Sequence, residues 1–230
     1  MNKLVTYKLK RSNRKTIAIH ITKEAQVEVR APLKAKKKEI EQFLISKKDW
    51  IEKHLARITE AQANRLNFEL NYGDDFRLMG KKIPLVAREG NKVGFDGNCF
   101  YLPPSFPSDE IKMAVIGLYK QIAKQVFTDR TFAYAKEMGS LPSAVKVNSA
   151  KTRWGSCSNK GSINYSWRLI MAEEEIMDYV IVHELAHLRE LNHSPRFWTI
   201  VETILPDYKR RQKKLKEFQK EIAHENWDNR

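Results

Sequence analysis

The first part of the chain alternates apolar and polar residues. The alternation covers residues 4–9 and 16–21, and it continues at Val27 and Val29 before Pro32. A period of two residues is typical of strands with one buried face. The segment therefore predicts a small antiparallel sheet that ends at the proline.

Between residues 36 and 63 the spacing of apolar residues becomes helical. Lysines separate the apolar positions, which are Ile40, Phe43, Leu44, Trp50, Ile51, Leu55 and Ile58. This pattern predicts one amphipathic helix that packs its apolar side on the sheet and turns its basic side to water or to a partner. We therefore predict an N-terminal lobe over residues 1–70, made of a small β-sheet and a helix.

Residues 71–105 combine short apolar segments with turn residues. The turn glycines are Gly73, Gly80, Gly90, Gly94 and Gly97. This arrangement predicts a β-meander. No glycine cluster here opens a helix with the spacing of a phosphate-binding loop or of a dinucleotide fingerprint, so the sequence argues against a nucleotide site of either kind.

Residues 106–230 form the third predicted region. A long helix is expected from Ser108 to a stop at Gly139, followed by strands over residues 144–148 and 162–169. We take residues 162–167 as a candidate edge strand that could pair with an extended peptide, with an interior strand as the alternative. A basic helix over residues 207–224 is predicted to close the chain.

Residues 179–198 contain the strongest chemical signal. His183, Glu184 and His187 form an H-E-x-x-H box, and His193 follows six residues later. Four helical residues advance about 400° and rise about 6 Å, so His183 and His187 share one face. Catalytic zinc sites commonly use three protein ligands and one water, and Glu184 is placed to act on that water as a general base.

Such a box also arises by chance, so its surroundings matter. Apolar residues cover the other faces of the same turns, which predicts a buried helix. An unpaired buried Glu184 would cost on the order of several kcal/mol, and a metal explains it better than packing does. Asn192 is a candidate left-handed helix end, and Ser194 with Pro195 predicts the next helix start. The third ligand is His193 or, alternatively, Glu202 from that helix.

Four ordered motifs resemble one known family. They are R-W-G-S-C-S (153–158), I-N-Y-S-W-R-L-I (163–170), D-Y-V-I-V-H-E-L-A-H-L (178–188) and N-H-S-P-R-F-W (192–198). The sequence resembles the YgjP-like (DUF45) metal-dependent hydrolases, a zincin-type group. The resemblance implies an α+β fold in which an antiparallel or mixed sheet precedes the H-E-x-x-H helix. It also implies His183, His187 and His193 as metal ligands and Glu184 as the catalytic acid.

The expected activity is zinc-dependent hydrolysis, most plausibly of peptide bonds, with one Zn²⁺ per chain. Arg153 and Tyr165 are candidates to stabilise the oxyanion, with a structural salt bridge as the alternative for Arg153. Two other functions stay open. One is a protease recruited to nucleic acid, and the other is a non-catalytic module with a structural zinc, for which Cys157 is the candidate fourth ligand.

Charge and composition bear on partners and location. The net charge is +14, and the first 66 residues carry 17 Lys and Arg against 7 Asp and Glu. This basic lobe is expected to attract nucleic acid or other polyanions non-specifically.

Cys99 and Cys157 form no C-x-x-C pair, so a disulfide framework is not expected. We expect a cytoplasmic protein without a membrane partner, because we find neither a signal peptide nor a long apolar stretch.

Overall fold

A computed structural model describes residues 5–228 of the chain. Leu4, where the first strand is predicted to begin, lies outside the described residues. The contacts divide the chain into two compact units. The first unit runs to Phe68 and includes Ala223–Asn226, and the second comprises Glu69–Ile222 and the residues from Trp227 onward. The division into residues 1–70, 71–105 and 106–230 stays a prediction.

The first unit contains a three-stranded sheet. Its strands are β1 (Tyr7–Ser12), β2 (Ala18–Ile21) and β3 (Val27–Pro32). β3 lies in the centre, antiparallel to β2 and parallel to β1, so the predicted purely antiparallel sheet is wrong. β3 also carries the most buried side chains of the three strands, including the fully buried Val29 and Ala31.

Two helices, not one, follow this sheet. They are α1 (Lys37–Ser46) and α2 (Lys48–Leu66). The backbone leaves the helical region at Lys47, with φ −112° and ψ 12°, which separates them. Ile40 and Leu44 of α1 and Ile51 of α2 pack with the sheet in one core. The spacing of the apolar residues therefore predicts helical structure correctly, but it does not predict the break at Lys47.

A four-stranded sheet opens the second unit. Its strands are β4 (Asp75–Leu78), β5 (Lys81–Ala87), β6 (Gly94–Phe95) and β7 (Phe100–Leu102). The strand order is β4-β5-β7-β6, and β5 and β7 are parallel, which differs from the predicted meander. β6 and β7 form a hairpin whose turn is held by Asp96, which accepts the N–H groups of Asn98 and Cys99. Through this hairpin, β7 lies next to β5 and pairs with it.

The long helix α3 (Ser108–Met138) has the predicted limits. Acidic residues occupy its first turn, where they favour the helix dipole. It ends at Gly139, whose φ of 60° is in the left-handed region that a glycine adopts without a steric penalty. Tyr119 and Phe127 of α3 are fully buried, so this helix forms much of the core of the second unit.

A mixed three-stranded sheet precedes the candidate site. It contains β8 (Ala144–Asn148), β9 (Gly155–Cys157) and β10 (Ser162–Ser166). β10 lies in the centre, parallel to β8 and antiparallel to β9. The candidate edge strand over residues 162–167 is therefore an interior strand, consistent with its buried Ile163 and Tyr165. β9 is an edge of this sheet.

Three helices complete the second unit. They are α4 (Glu174–Ala186), α5 (Pro195–Ile204) and α6 (Tyr208–Glu221), with short 3₁₀ turns at Trp167–Met171 and Ile222–His224. α4 is buried nearly all round, as its apolar sequence predicts. Residues 5–228 thus form a mixed α+β structure with several small sheets and six α-helices. None of these helices has the length and apolar character that a membrane crossing requires.

Candidate metal centre

Three histidines meet where α4 ends. His183 lies in the last turn of α4, His187 follows its last residue, and His193 lies in the loop before α5. One ring nitrogen from each lies within 4.8 Å of the other two, and Nε2 of His183 is 3.1 Å from Nε2 of His193. The structure brings these three predicted ligands together. Glu202 is exposed on α5 and is not part of this group.

The chain between the ligands turns more tightly than the sequence suggests. The N–H groups of Leu188 and Arg189 bond to the carbonyls three residues earlier, at 3.0 and 3.1 Å, which ends the helix at Ala186. Asn192 is not left-handed, because Ala25 and Met79 are the non-glycine residues with positive φ among residues 5–228. The short-range bonds after Ala186 satisfy the helix end without a left-handed residue.

Arg189 fastens this turn to the end of α3. Its Nε donates to Oγ of Ser140 at 2.7 Å, and its guanidinium also bonds to the carbonyls of Met138 and Gly139. Carbonyls at the C-terminus of a helix lack partners within the helix, so these bonds are stabilising for both segments. The loop that carries His193 therefore starts from a fixed position.

Phe197 supports all three histidines from α5. Its fully buried ring lies 4.9 Å from the ring of His183, 4.5 Å from that of His187 and 4.8 Å from that of His193, between centroids. Ser194 places it, because Oγ of Ser194 accepts the N–H of Phe197 at 3.3 Å and caps α5 as predicted. Sequence reasoning missed Phe197, although it lies within the N-H-S-P-R-F-W motif.

The electrostatics keep two of the imidazoles neutral. Burial, reinforced by the neighbouring His187 and His193, lowers the pKa of His183 to about 3. Burial also lowers the pKa of His187. Nδ1 of His187 lies 3.1 Å from the carbonyl oxygen of Glu190, an acceptor that fixes the proton on Nδ1 and leaves Nε2 with a free lone pair. Neutral imidazoles with a free nitrogen are competent metal ligands.

Glu184 lies beside this group in a low-polarity environment. Its side chain is buried, and burial raises its pKa to about 7, against the lowering effect of the nearby Arg153 charge. A carboxyl with a pKa near neutrality is well matched to taking up and releasing a proton at physiological pH.

Gly155 on β9 makes room for Glu184. A Cβ at this position would lie 2.5 Å from Oε1 and 2.6 Å from Cγ of Glu184, closer than atoms can approach. The strand and the carboxyl side chain are therefore in direct contact. Gly155 belongs to the R-W-G-S-C-S motif, whose residues alone do not indicate a role for it. Its role depends on a contact between residues 29 positions apart, which a motif alone does not reveal.

The two predicted oxyanion residues have different surroundings. Arg153 is exposed, and its charge reaches Glu184. Tyr165 is fully buried on β10, and its hydroxyl lies 3.1 Å from Oγ1 of Thr131, so the structure shows it packed in the core. Cys157 is half-buried, and it is not part of the histidine group.

The three histidines fit a zinc ion. Zinc–imidazole bonds of about 2.0–2.1 Å at tetrahedral angles place two ligand nitrogens about 3.4 Å apart. The 3.1 Å between Nε2 of His183 and Nε2 of His193 is close to this value. Nδ1 of His183 is buried without a hydrogen-bond partner among the described residues. Three imidazoles from the protein also match the usual ligand number of catalytic zinc sites.

Comparisons with known proteins add a family match. The model of the YgjP-like metallopeptidase domain matches residues 15–218. A search of curated proteins gave no match.

Two solved structures are similar to part of the chain. The metallopeptidase zymogen abylysin of Pyrococcus abyssi is 25% identical with a TM-score of 0.38, and the match covers 43% of this chain and 97% of that one. The metallopeptidase zymogen jannalysin of Methanocaldococcus jannaschii is 22% identical with a TM-score of 0.37, and the match covers 42% of this chain and 97% of that one.

Proposed function

Because this chain belongs to the YgjP-like family of metallopeptidases, we propose that it hydrolyses peptide bonds with a zinc ion held by His183, His187 and His193. One observation carries the proposal. Three imidazole nitrogens lie within 4.8 Å of one another, next to the buried carboxyl group of Glu184. Packing alone does not account for this combination, because each buried polar group costs free energy unless it is paired.

A zinc ion bound there would lower the pKa of a coordinated water and polarise the carbonyl of the substrate. Glu184 takes the proton of the attacking water and passes it to the leaving amine. Its raised pKa, about 7, suits both halves of this task, since one group must first accept the proton and then release it. Gly155 holds no side chain, which lets Glu184 occupy this position.

Arg153 is the proposed partner of the developing oxyanion. It is exposed towards solvent, and its charge acts on Glu184, so it lies in the electrostatic neighbourhood of the reacting groups. A positive charge near the reacting groups stabilises a negative charge that develops there. The packed position of Tyr165 does not support the same role for that residue.

The proposal is tested by replacing the proposed base. Glu184→Gln keeps the size of the side chain but removes proton transfer, so we expect turnover of a peptide library to fall by at least about 10²-fold while the zinc content stays near one per chain. Glu137→Gln, an exposed change on α3, is the matched control and should keep full activity. Peptide cleavage and metal content are measured on the same samples. Full activity of Glu184→Gln would exclude its role as base.

The other two predicted functions have weaker support. The family match is to a metallopeptidase domain, which argues for catalysis and not for a module with a purely structural zinc. Recruitment by nucleic acid rests on the charge pattern alone and stays a prediction. The cytoplasmic location likewise stays a prediction.

A further inference from the structure

A small cavity opens directly beside the proposed catalytic groups. It has a volume of about 160 Å³, and Gly155, His183 and Glu184 form its wall on the side of the metal centre. A side chain that entered it would contact the residues that flank the metal centre. The cavity is therefore a candidate site for part of the substrate.

The remaining wall is apolar. It is formed by Trp154, Tyr179, Val180 and Leu215, which come from the segment before β9, from α4 and from α6. Tyr179 and Val180 are each 3% exposed, and the ring of Trp154 packs on that of Phe218 with 5.3 Å between centroids. These contacts fix the wall, so its shape can discriminate between side chains by size.

The lining also discriminates by charge. Among the described residues that line the cavity, Glu184 is the one acidic side chain, and there is no Lys or Arg that could pair with an incoming carboxylate. An unpaired charge in an apolar site is strongly disfavoured, and an acidic side chain would in addition meet the carboxyl group of Glu184. The cavity is therefore suited to an uncharged, apolar side chain.

The volume limits the size of that side chain. An apolar cavity of about 150 Å³ in another protein holds one benzene ring. The 160 Å³ found here is thus sufficient for the ring of phenylalanine or the branched end of leucine, but not for the fused rings of tryptophan.

We propose that this cavity binds one apolar side chain of the substrate, of the size of leucine or phenylalanine, at a residue adjoining the cleaved bond. Leu215 of α6 and Trp154 form the part of the wall that belongs neither to the metal centre nor to α4, so a change of size at Leu215 changes the cavity without altering the proposed catalytic groups. This inference rests on the proposed peptidase function and adds its side-chain specificity.

The test is cleavage-site profiling of the zinc-loaded full chain with a peptide library. We expect leucine, phenylalanine and methionine to be enriched at one position next to the cleaved bond, and acidic residues to be depleted there. Leu215→Ala enlarges the cavity and should raise cleavage at tryptophan relative to leucine about tenfold or more. Leu215→Phe fills it and should shift the preference to alanine and valine by a similar factor. Lys216→Ala, an exposed neighbour on α6, should leave the profile unchanged.

A binding measurement separates this inference from the proposed function. Acetyl-phenylalanine amide and acetyl-aspartate amide are titrated into Glu184→Gln protein, and binding is followed by NMR. We expect only the phenylalanine probe to bind, and Leu215→Phe combined with Glu184→Gln to weaken its binding about tenfold or more. If the wild type does not cleave peptides but the phenylalanine probe still binds, the proposed function is contradicted and the cavity assignment is not. Cleavage or binding with no dependence on residue 215 would overturn the cavity assignment, while the function stands.

Discussion

Gly155 shows how one missing side chain can matter at a catalytic site. The strand that carries it lies against Glu184, and the space that any Cβ would need is taken by the carboxyl group. The backbone of Gly155 has no positive φ, so glycine is required here for close approach and not for an unusual conformation.

Gly155→Ala is therefore expected to displace the Glu184 carboxyl group. A displacement of about 1 Å can cost about 10²-fold in rate, so we expect kcat to fall by that order while zinc stays bound. Gly117→Ala is the matched control, since Gly117 is exposed on α3 and a Cβ there meets nothing within 4 Å. The control should keep full activity and gain about 0.5–1 kcal/mol of stability. Unchanged kcat in Gly155→Ala would mean that Glu184 can move without consequence.

A second prediction concerns Phe197, because its ring contacts all three proposed ligands. Phe197→Ala removes this support and should weaken zinc binding about 10–100-fold, the usual effect of losing a group that orients metal ligands. It should also cost about 3–5 kcal/mol of stability, as for other buried phenylalanines.

Phe127→Ala separates these two effects. Phe127 is equally buried on α3, and its ring packs on that of Tyr165 in the core. We expect a similar loss of stability with zinc affinity preserved. Zinc affinity is measured by competition with a chelator, and stability by urea denaturation of the metal-free chains. Equal loss of zinc affinity in both variants would assign the effect to general destabilisation.

Among the elements, α4 is held at its start by α6. Oε1 and Oε2 of Glu175 accept from the guanidinium of Arg210 at 3.1 and 2.5 Å, and Lys214 pairs with the same carboxylate. These two cations lower the pKa of Glu175 to about 2. The network fixes the N-terminal end of the helix whose last turn carries His183.

This network predicts how stability depends on pH. The carboxyl titrates near 4.5 in the unfolded chain and near 2 in the folded one. Its contribution is therefore complete above about pH 4.5 and is lost as the pH falls towards 2. Glu175→Gln should lower the free energy of unfolding by on the order of 1 kcal/mol at pH 7 and by less at pH 3. Urea denaturation at both values measures this, with Glu202→Gln as a control that should show no such dependence. An equal loss at pH 7 and pH 3 would argue against the network.

The sequence patterns predict the limits of helices and strands better than they predict which strands pair with each other. The limits of α3 and β8 follow from local signals, a terminal glycine and a period of two, so the sequence predicts them accurately. Periodicity does not specify which strands become neighbours in a sheet. The parallel pairing of β1 with β3 and the central position of β10 depend on this. The break at Lys47 carries no glycine or proline that would have signalled it.

The residues of the candidate site also fall into two groups, those that the sequence predicts and those that only the folded structure reveals. His183, His187 and His193 were found because their spacing within 11 residues is itself the signal. Gly155 and Phe197 act through contacts that exist only after folding, and an edge strand at β9 is too short to show a period. Tyr165 precedes the H-E-x-x-H helix in the sequence, which suggests a place in the site, but the alternation of side chains along β10 turns it into the core.

For the molecule as a whole, the unequal distribution of charge is the remaining feature to explain. The net charge of +14 includes +10 from the first 66 residues. Lys36, Lys37 and Lys38 are exposed at the start of α1, and Nζ of Lys37 lies 3.8 Å from a carboxylate oxygen of Glu41. Charge alone predicts attraction that weakens with salt, and it specifies no sequence or biological partner.

We expect the chain to bind duplex DNA weakly, with an affinity that falls as salt rises, because binding releases counterions from the phosphates. Replacing Lys36, Lys37 and Lys38 with Gln should reduce the slope of log K against log salt by about 0.9 for each lysine that contacts a phosphate. The matched control replaces Lys213, Lys216 and Lys220, which are exposed on α6, and removes the same total charge. Fluorescence anisotropy of a labelled duplex at several salt concentrations measures both. Equal effects of the two triple variants would assign the attraction to net charge and not to the basic N-terminal residues.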